Sequence, residues 1–196
     1  MKPYISQTIE SNSCGAHSIA YYLWETTKAQ PINDRTFVAN IHKKIQIGPN
    51  NMGIPEIYSN PEKIAYELSN NWSSYSYTCM LSNSTVIPIA KNLNISTKNI
   101  DIIDKVKKGA NKYAIIICSI GYMTPSLHYM LIKYEQNTFK LLDSLYNLDH
   151  STFKILDSIY GIDRVIWEDF TIETNNKLTL DRNSNYFYTG AGILID

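Results

Sequence analysis

The sequence predicts an α+β protein, a helical half followed by a mostly antiparallel sheet half. Three observations carry this. Ala16, Ile19, Ala20, Leu23 and Trp24 recur at helical spacing near the start. Tyr113 to Cys118 is an unbroken apolar run. Two strand-like segments flank Gln136-Asn137. Helices first and strands after is the order of an α+β domain, not of alternating βαβ units. Residues 1–196 are read as one domain, a length that suits a single core.

Taken in order, the chain to Ser13 is polar and irregular. Ser13 is an N-cap type, placing Cys14 in the first turn of a helix with an apolar stripe. A second helix is expected over Asp34 to Ile45, stopped by Gly48-Pro49, with Gly48 to Gly53 as a loop. Pro61 suits the first turn of a third helix running through Leu68. Tyr75 to Leu81 reads as a strand, and two short helices fit between Ser84 and Gly109. Tyr113 to Cys118 reads as a strand buried on both faces. Leu127 to Glu135 and Thr138 to Ser144 form a hairpin across Gln136-Asn137. Arg164 to Phe170 and Tyr186 to Ile195 supply further strands.

Composition excludes several classes. Lys+Arg and Asp+Glu both number 18, so the formal net charge is zero. A dedicated nucleic-acid binder carries a basic excess, and none is expected as partner. No apolar run approaches the roughly 18 residues of a membrane span. The first residues lack the apolar stretch of a secretory signal. The three cysteines, Cys14, Cys79 and Cys118, form neither a disulfide framework nor a CxxC metal site. A reducing compartment is expected, with secretion by a route that needs no cleaved signal as the other setting. No zinc-ligand spacing and no Gly-rich phosphate loop occurs, so no metal or cofactor is expected.

Cys14 is the cysteine placed for chemistry. A thiol in a first helical turn meets the positive end of the helix dipole, which favours its thiolate. Gly15 beside it leaves room for a substrate backbone to approach. Gln7, upstream, brings a side-chain amide able to donate to an oxyanion together with the Cys14 backbone N–H; Asn12 is the substitute. Cys79 and Cys118 fit the commoner role of a small buried hydrophobe.

The histidine partner comes from the hairpin. A two-residue turn at 136–137 pairs 135 with 138, so paired positions sum to 273. His128 then opposes Leu145, and Asp143, two residues away, shares its face. An acid there can hold the imidazole's tautomer while the other ring nitrogen meets a thiol. His17, one turn after Cys14, is the competitor for the thiol. His42 and His150 have no visible partner.

These residues resemble a papain-like cysteine peptidase. The order is Cys14, His128, Asp143, with a glutamine before the cysteine. The likeness rests on Gln7 to Leu23, which includes Ser13-Cys14-Gly15, and on His128 to Ile132 continuing to Leu142-Asp143-Ser144-Leu145. The interval between His128 and Asp143 is similar to that in Josephin-type deubiquitinases and several bacterial effector thiol enzymes; His17 also matches a Josephin position. The local pieces resemble ubiquitin-like-protein-specific proteases, which place histidine and aspartate before the cysteine, unlike this chain. The helix opening also resembles the double-glycine leader peptidases. Residues 25 to 110 resemble nothing recognised.

The resemblance implies a helical half packed on a twisted antiparallel sheet half, with the site between them. It implies a thiol hydrolase cutting a protein amide bond through Cys14, His128 and Asp143, with Gln7 in the oxyanion hole. The expected partner is a protein or peptide substrate, ubiquitin or a ubiquitin-like protein being one candidate. A glutamine deamidase or an acyltransferase would use the same triad. From another class, an inactive scaffold would serve as a protein-binding module.

Overall fold

Helix α1 (Cys14–Thr27) begins where the apolar stripe begins, and every residue from Cys14 to Leu23 is buried. That stretch is therefore enclosed on all sides, whereas the sequence pattern marked one apolar face; Thr26 and Thr27 at the end of the helix are exposed. Ser13 stands at the N-cap position but makes no side-chain cap bond. Its Oγ lies 3.2 Å from His17 Nδ1 instead. The expected side-chain cap is thus replaced by a contact one turn along the helix. Asn12 turns the chain into α1 with a φ of 46°, a left-handed conformation that Asn tolerates better than most residues.

The computed structural model describes residue 7 and residues 12–28, 35–49, 55–71, 77–81, 98–99, 101–109, 112–120, 126–145, 165–182 and 185–195. Helices α2 (Arg35–Ile45) and α3 (Pro61–Asn71) follow the expected positions. Pro61 opens α3, and Asn60 Oδ1 accepts from the Glu62 backbone N–H at 2.8 Å. Between the two helices lies an antiparallel pair, β1 (Gln46–Pro49) and β2 (Pro55–Ser59). Gly48 and Pro49 therefore belong to a strand, not to the expected loop; the rest of that stretch falls outside the described residues. Pro49 and Pro55 face each other at the end of the ladder, where a missing N–H costs least.

The larger sheet contains β3 (Tyr77–Leu81), β4 (Lys98–Asn99), β5 (Tyr113–Ile120), β6 (Ser126–Glu135), β7 (Thr138–Leu142), β8 (Glu168–Ile172), β9 (Leu178–Leu180) and β10 (Tyr186–Ile195). Its order is β4-β3-β10-β5-β6-β7-β8-β9. Among the described strands, only the β3–β4 pair is parallel. The class is α+β with an antiparallel sheet, as the sequence predicts. Of the two short helices expected between Ser84 and Gly109, one is seen, α4 (Ile102–Lys107), with Asp101 accepting from the Asp104 N–H at 3.0 Å. Residues 82–97 lie outside the description.

The β6–β7 hairpin has the expected register, with Glu135 opposite Thr138 and Leu131 opposite Leu142. Gln136 and Asn137 both take positive φ, 53° and 64°, the requirement of a tight turn whose twist matches the strands. The last strands curl round. Lys177 bridges Phe187, and the Tyr188 N–H donates to the Asn176 carbonyl at 2.7 Å. The far end of the sheet thereby returns to β10, and the six strands from β10 to β9 approach a closed barrel.

Two cores result. Ile115 and Ile117 of β5 join α1, α2 and α3 on one face. Ala114, Ile116 and Cys118 join α4 and the curled strands, with Phe170 and Leu178, on the other. β5 is thus buried on both faces, as its continuous apolar run implies. No helix among the described residues is long and apolar enough to cross a membrane.

Candidate active site

Strand alternation gathers the chemistry at one end of the sheet. β6 starts there, β7 ends there, β8 starts there, β9 ends there and β10 starts there. His128, Asp143, Glu168, Arg182 and Tyr186, spread over the second half of the chain, therefore become neighbours.

His128 Nε2 lies 2.6 Å from Asp143 Oδ1. The two are buried, with side chains 2% and 0% exposed. The Cys14 side chain lies close enough to the same imidazole to favour its charged form. Because Asp143 holds Nε2, Nδ1 is the nitrogen left for the thiol. This is the reverse of serine-type triads, in which the acid takes Nδ1. Cys14 is the first residue of α1 and 6% exposed.

Electrostatics follow the geometry. Burial opposes a charged imidazole, but the Asp143 charge and hydrogen bond, with the Cys14 side chain, raise the His128 pKa to about 10. Burial likewise opposes the Asp143 carboxylate, but His128, Arg182 and the Leu145 N–H hold its pKa well below the usual range. Cys118, opposite His128 on β5, is pushed the other way: burial and then the Asp143 charge raise its thiol. Cys118 is a buried core thiol, as expected.

Gln7 reaches this end through the residue after the acid. Its N–H donates to the Ser144 carbonyl at 3.0 Å, and Ser144 Oγ donates to Gln7 Oε1 at 3.0 Å. The side-chain oxygen is engaged, so the amide's N–H donors are directed away from Ser144.

One expectation needs correction. Gly15 does not open space for a substrate. A Cβ there would lie 2.7 Å from Ser59 Cβ and 2.9 Å from Ile64 Cδ1, so the missing side chain lets α1 dock against β2 and α3. His17 does not compete for the thiol through Nδ1, which lies 3.0 Å from the Ser13 carbonyl oxygen. Its ring also packs edge-on against Tyr21. His42 lies on α2; His150 falls outside the described residues.

The chain matches no protein-family model and no curated protein.

Sequence reading missed three residues. Arg182 Nη2 donates to Asp143 Oδ2 at 2.5 Å, and its Nε lies 2.9 Å from both Glu168 carboxylate oxygens. Tyr186 donates its hydroxyl to Asp143 Oδ2 at 2.8 Å, and its ring stacks on His128, centroids 5.6 Å apart. One signal was available. The chain carries Arg at only three of its 18 basic positions, Arg35, Arg164 and Arg182, and arginine is the cation suited to holding a carboxylate. Nothing local marks Glu168 or Tyr186.

Among the described residues, no group of three or more His, Cys, Asp and Glu side chains is arranged to hold a metal. What the cluster can do is move a proton between a sulfur and a leaving group, with an acid fixing the imidazole.

Proposed function

We propose that the protein is a papain-like thiol hydrolase acting on a protein or peptide amide bond. The observation that carries the reading is the meeting of three residues far apart in the chain: the Cys14 side chain on the His128 ring, and that ring on Asp143 at 2.6 Å. The packing of α1 against β6 supports the papain-like reading of the fold.

The Cys14 sulfur attacks the carbonyl carbon, forming a C–S bond and an oxyanion. Gln7 and the Cys14 backbone N–H are the donors for that oxygen; a first-turn N–H has no helical partner to lose. Each such donor supplies about 3 kcal/mol in comparable sites. As the C–N bond breaks, His128 Nδ1 gives its proton to the leaving amine. Water then gives a proton to His128 and attacks the thioester, releasing the acid and the sulfur. Asp143 keeps the ring oriented throughout. Substrate candidates include ubiquitin and ubiquitin-like proteins, and delivery into a host cell is part of the same reading.

The same cluster would serve a deamidase, with ammonia as leaving group, or an acyltransferase, with an amine in place of water. A binding module is disfavoured by cost. Removing a buried ion pair in favour of apolar packing is often neutral or stabilising, so a surface that only binds gains little from His128, Asp143 and Arg182.

A fluorogenic peptide-amide library and a ubiquitin probe with a C-terminal electrophile test the reading. Cys14→Ala and His128→Ala should each abolish turnover while circular dichroism stays native, and the probe should label Cys14 if ubiquitin is the substrate. Turnover surviving in Cys14→Ala overturns the hydrolase. A one-dalton gain on a target glutamine, with no chain cleavage, selects deamidation.

A further inference from the structure

Asp143 is served by four donors, two on each oxygen. Oδ1 takes His128 Nε2 and the Leu145 N–H at 2.8 Å; Oδ2 takes Tyr186 Oη and the Arg182 guanidinium. Arg182 in turn lies across the Glu168 carboxylate and over the Tyr186 ring, 5.7 Å from its centroid. A carboxylate already carrying a histidine needs only neutral donors on its second oxygen. A guanidinium there does something a hydroxyl cannot: it draws the carboxylate's charge away from the imidazolium. As a device for holding His128 charged it is counterproductive. As a device for letting His128 release its proton it is well placed.

We infer that Arg182, braced by Glu168, is a positioning residue that divides the Asp143 charge between itself and His128 and so sets the pH range over which His128 exchanges its proton. This rests on the hydrolase reading of the same site. The charged and titratable groups facing Asp143 and His128 come from every element packed there: Cys14 of α1, Cys118 of β5, Tyr186 of β10, Glu168 of β8 and Arg182 on the β9–β10 link, with Asp181 acting on Glu168. The Arg182–Glu168 pair can be altered without touching a group that hydrogen-bonds the imidazole.

The inference predicts shifts of opposite sign. Arg182→Gln leaves the whole Asp143 charge to His128, so the His128 titration moves up by on the order of one pH unit. Glu168→Gln frees Arg182 to draw harder on Asp143, so that titration moves down. Arg182→Lys keeps the charge and loses the fork, and should restore the wild-type position in part. The readout is the His128 ring resonance in an NMR titration of the full chain, paired with the pH profile of kcat. Arg182→Gln should lower kcat by ~10-fold or more with KM within about twofold. A purely structural Arg182 would lower stability and leave the titration where it was, and that result overturns the inference. If Arg182→Gln does not fold, Glu168→Gln and Arg182→Lys still decide the sign. The NMR titration needs no substrate. Loss of the hydrolase reading, marked by turnover in Cys14→Ala, is therefore distinguishable from loss of this one.

Discussion

His128 on β6 and Asp143, the residue that follows β7, are 15 positions apart and meet at 2.6 Å, Nε2 to Oδ1. The tight turn between the strands fixes which side chains share a face, and a slip of one residue would separate the pair. The ion pair therefore depends on the hairpin register as much as on either residue.

That pair makes stability depend on pH with a definite sign. The His128 pKa is raised from 6.5 to about 10 despite burial, by Asp143 and Cys14. Its contribution is fully present below pH 6.5 and is lost as pH rises through about 10. The Asp143 pKa lies well below its ordinary 3.8, with burial opposed by His128 and Arg182. Its contribution is present above that value and is lost as pH falls. Urea denaturation should show the largest difference between wild type and His128→Asn between roughly pH 4 and 6.5, fading toward pH 10. A difference that grows above pH 6.5 would contradict the charged pair.

Asp143→Ala should cost about 3–5 kcal/mol, because it strips the partner from a buried imidazolium and from one side of Arg182. Asp143→Asn should cost less and still impair turnover, since an amide keeps the shape and loses the charge. Equal stability of wild type and Asp143→Ala in thermal denaturation would remove Asp143 from the centre of the network.

Gly15→Ala places a methyl group against Ser59 Cβ, which is bound directly to the backbone and cannot swing aside. The expected cost is about 1–3 kcal/mol. Because Cys14 precedes it at the helix start, kcat should fall as well. A Gly15→Ala protein with native stability and native turnover would show that α1 docks more loosely than these contacts require.

Gln7→Ala should lower kcat by ~100-fold or more with little change in KM, the signature of a donor used in the transition state. Ser144→Ala, which removes only the hydroxyl that fixes Gln7 Oε1, should give a smaller loss. Turnover within threefold of wild type in Gln7→Ala would pass the oxyanion role to another donor.

Iodoacetamide should separate the two buried thiols in a Cys79→Ser background. Cys118 is fully buried and its pKa is raised by burial and by Asp143, so it should react only after denaturation. Cys14 should react in the native protein, and His128→Ala should slow it by ~10-fold or more. Equal native rates at both sulfurs would count against a special environment for Cys14.

By itself the sequence determined the local elements whose signals are short-range. The helical spacing after Ser13 set the start of α1, Pro61 opened α3, and the Gln136-Asn137 turn fixed the hairpin register that pairs His128 with Asp143. The β1–β2 ladder was not legible, because strands that short and rich in proline carry no clear period. Tertiary structure alone decided that Gly15 serves helix docking rather than substrate entry. It alone brought β9 back to β10 and so laid Arg182 and Tyr186 on the second oxygen of Asp143. Periodicity reports which way a side chain points from its own element. It carries no information about which remote element will arrive opposite, and that depends on the curl of the whole sheet.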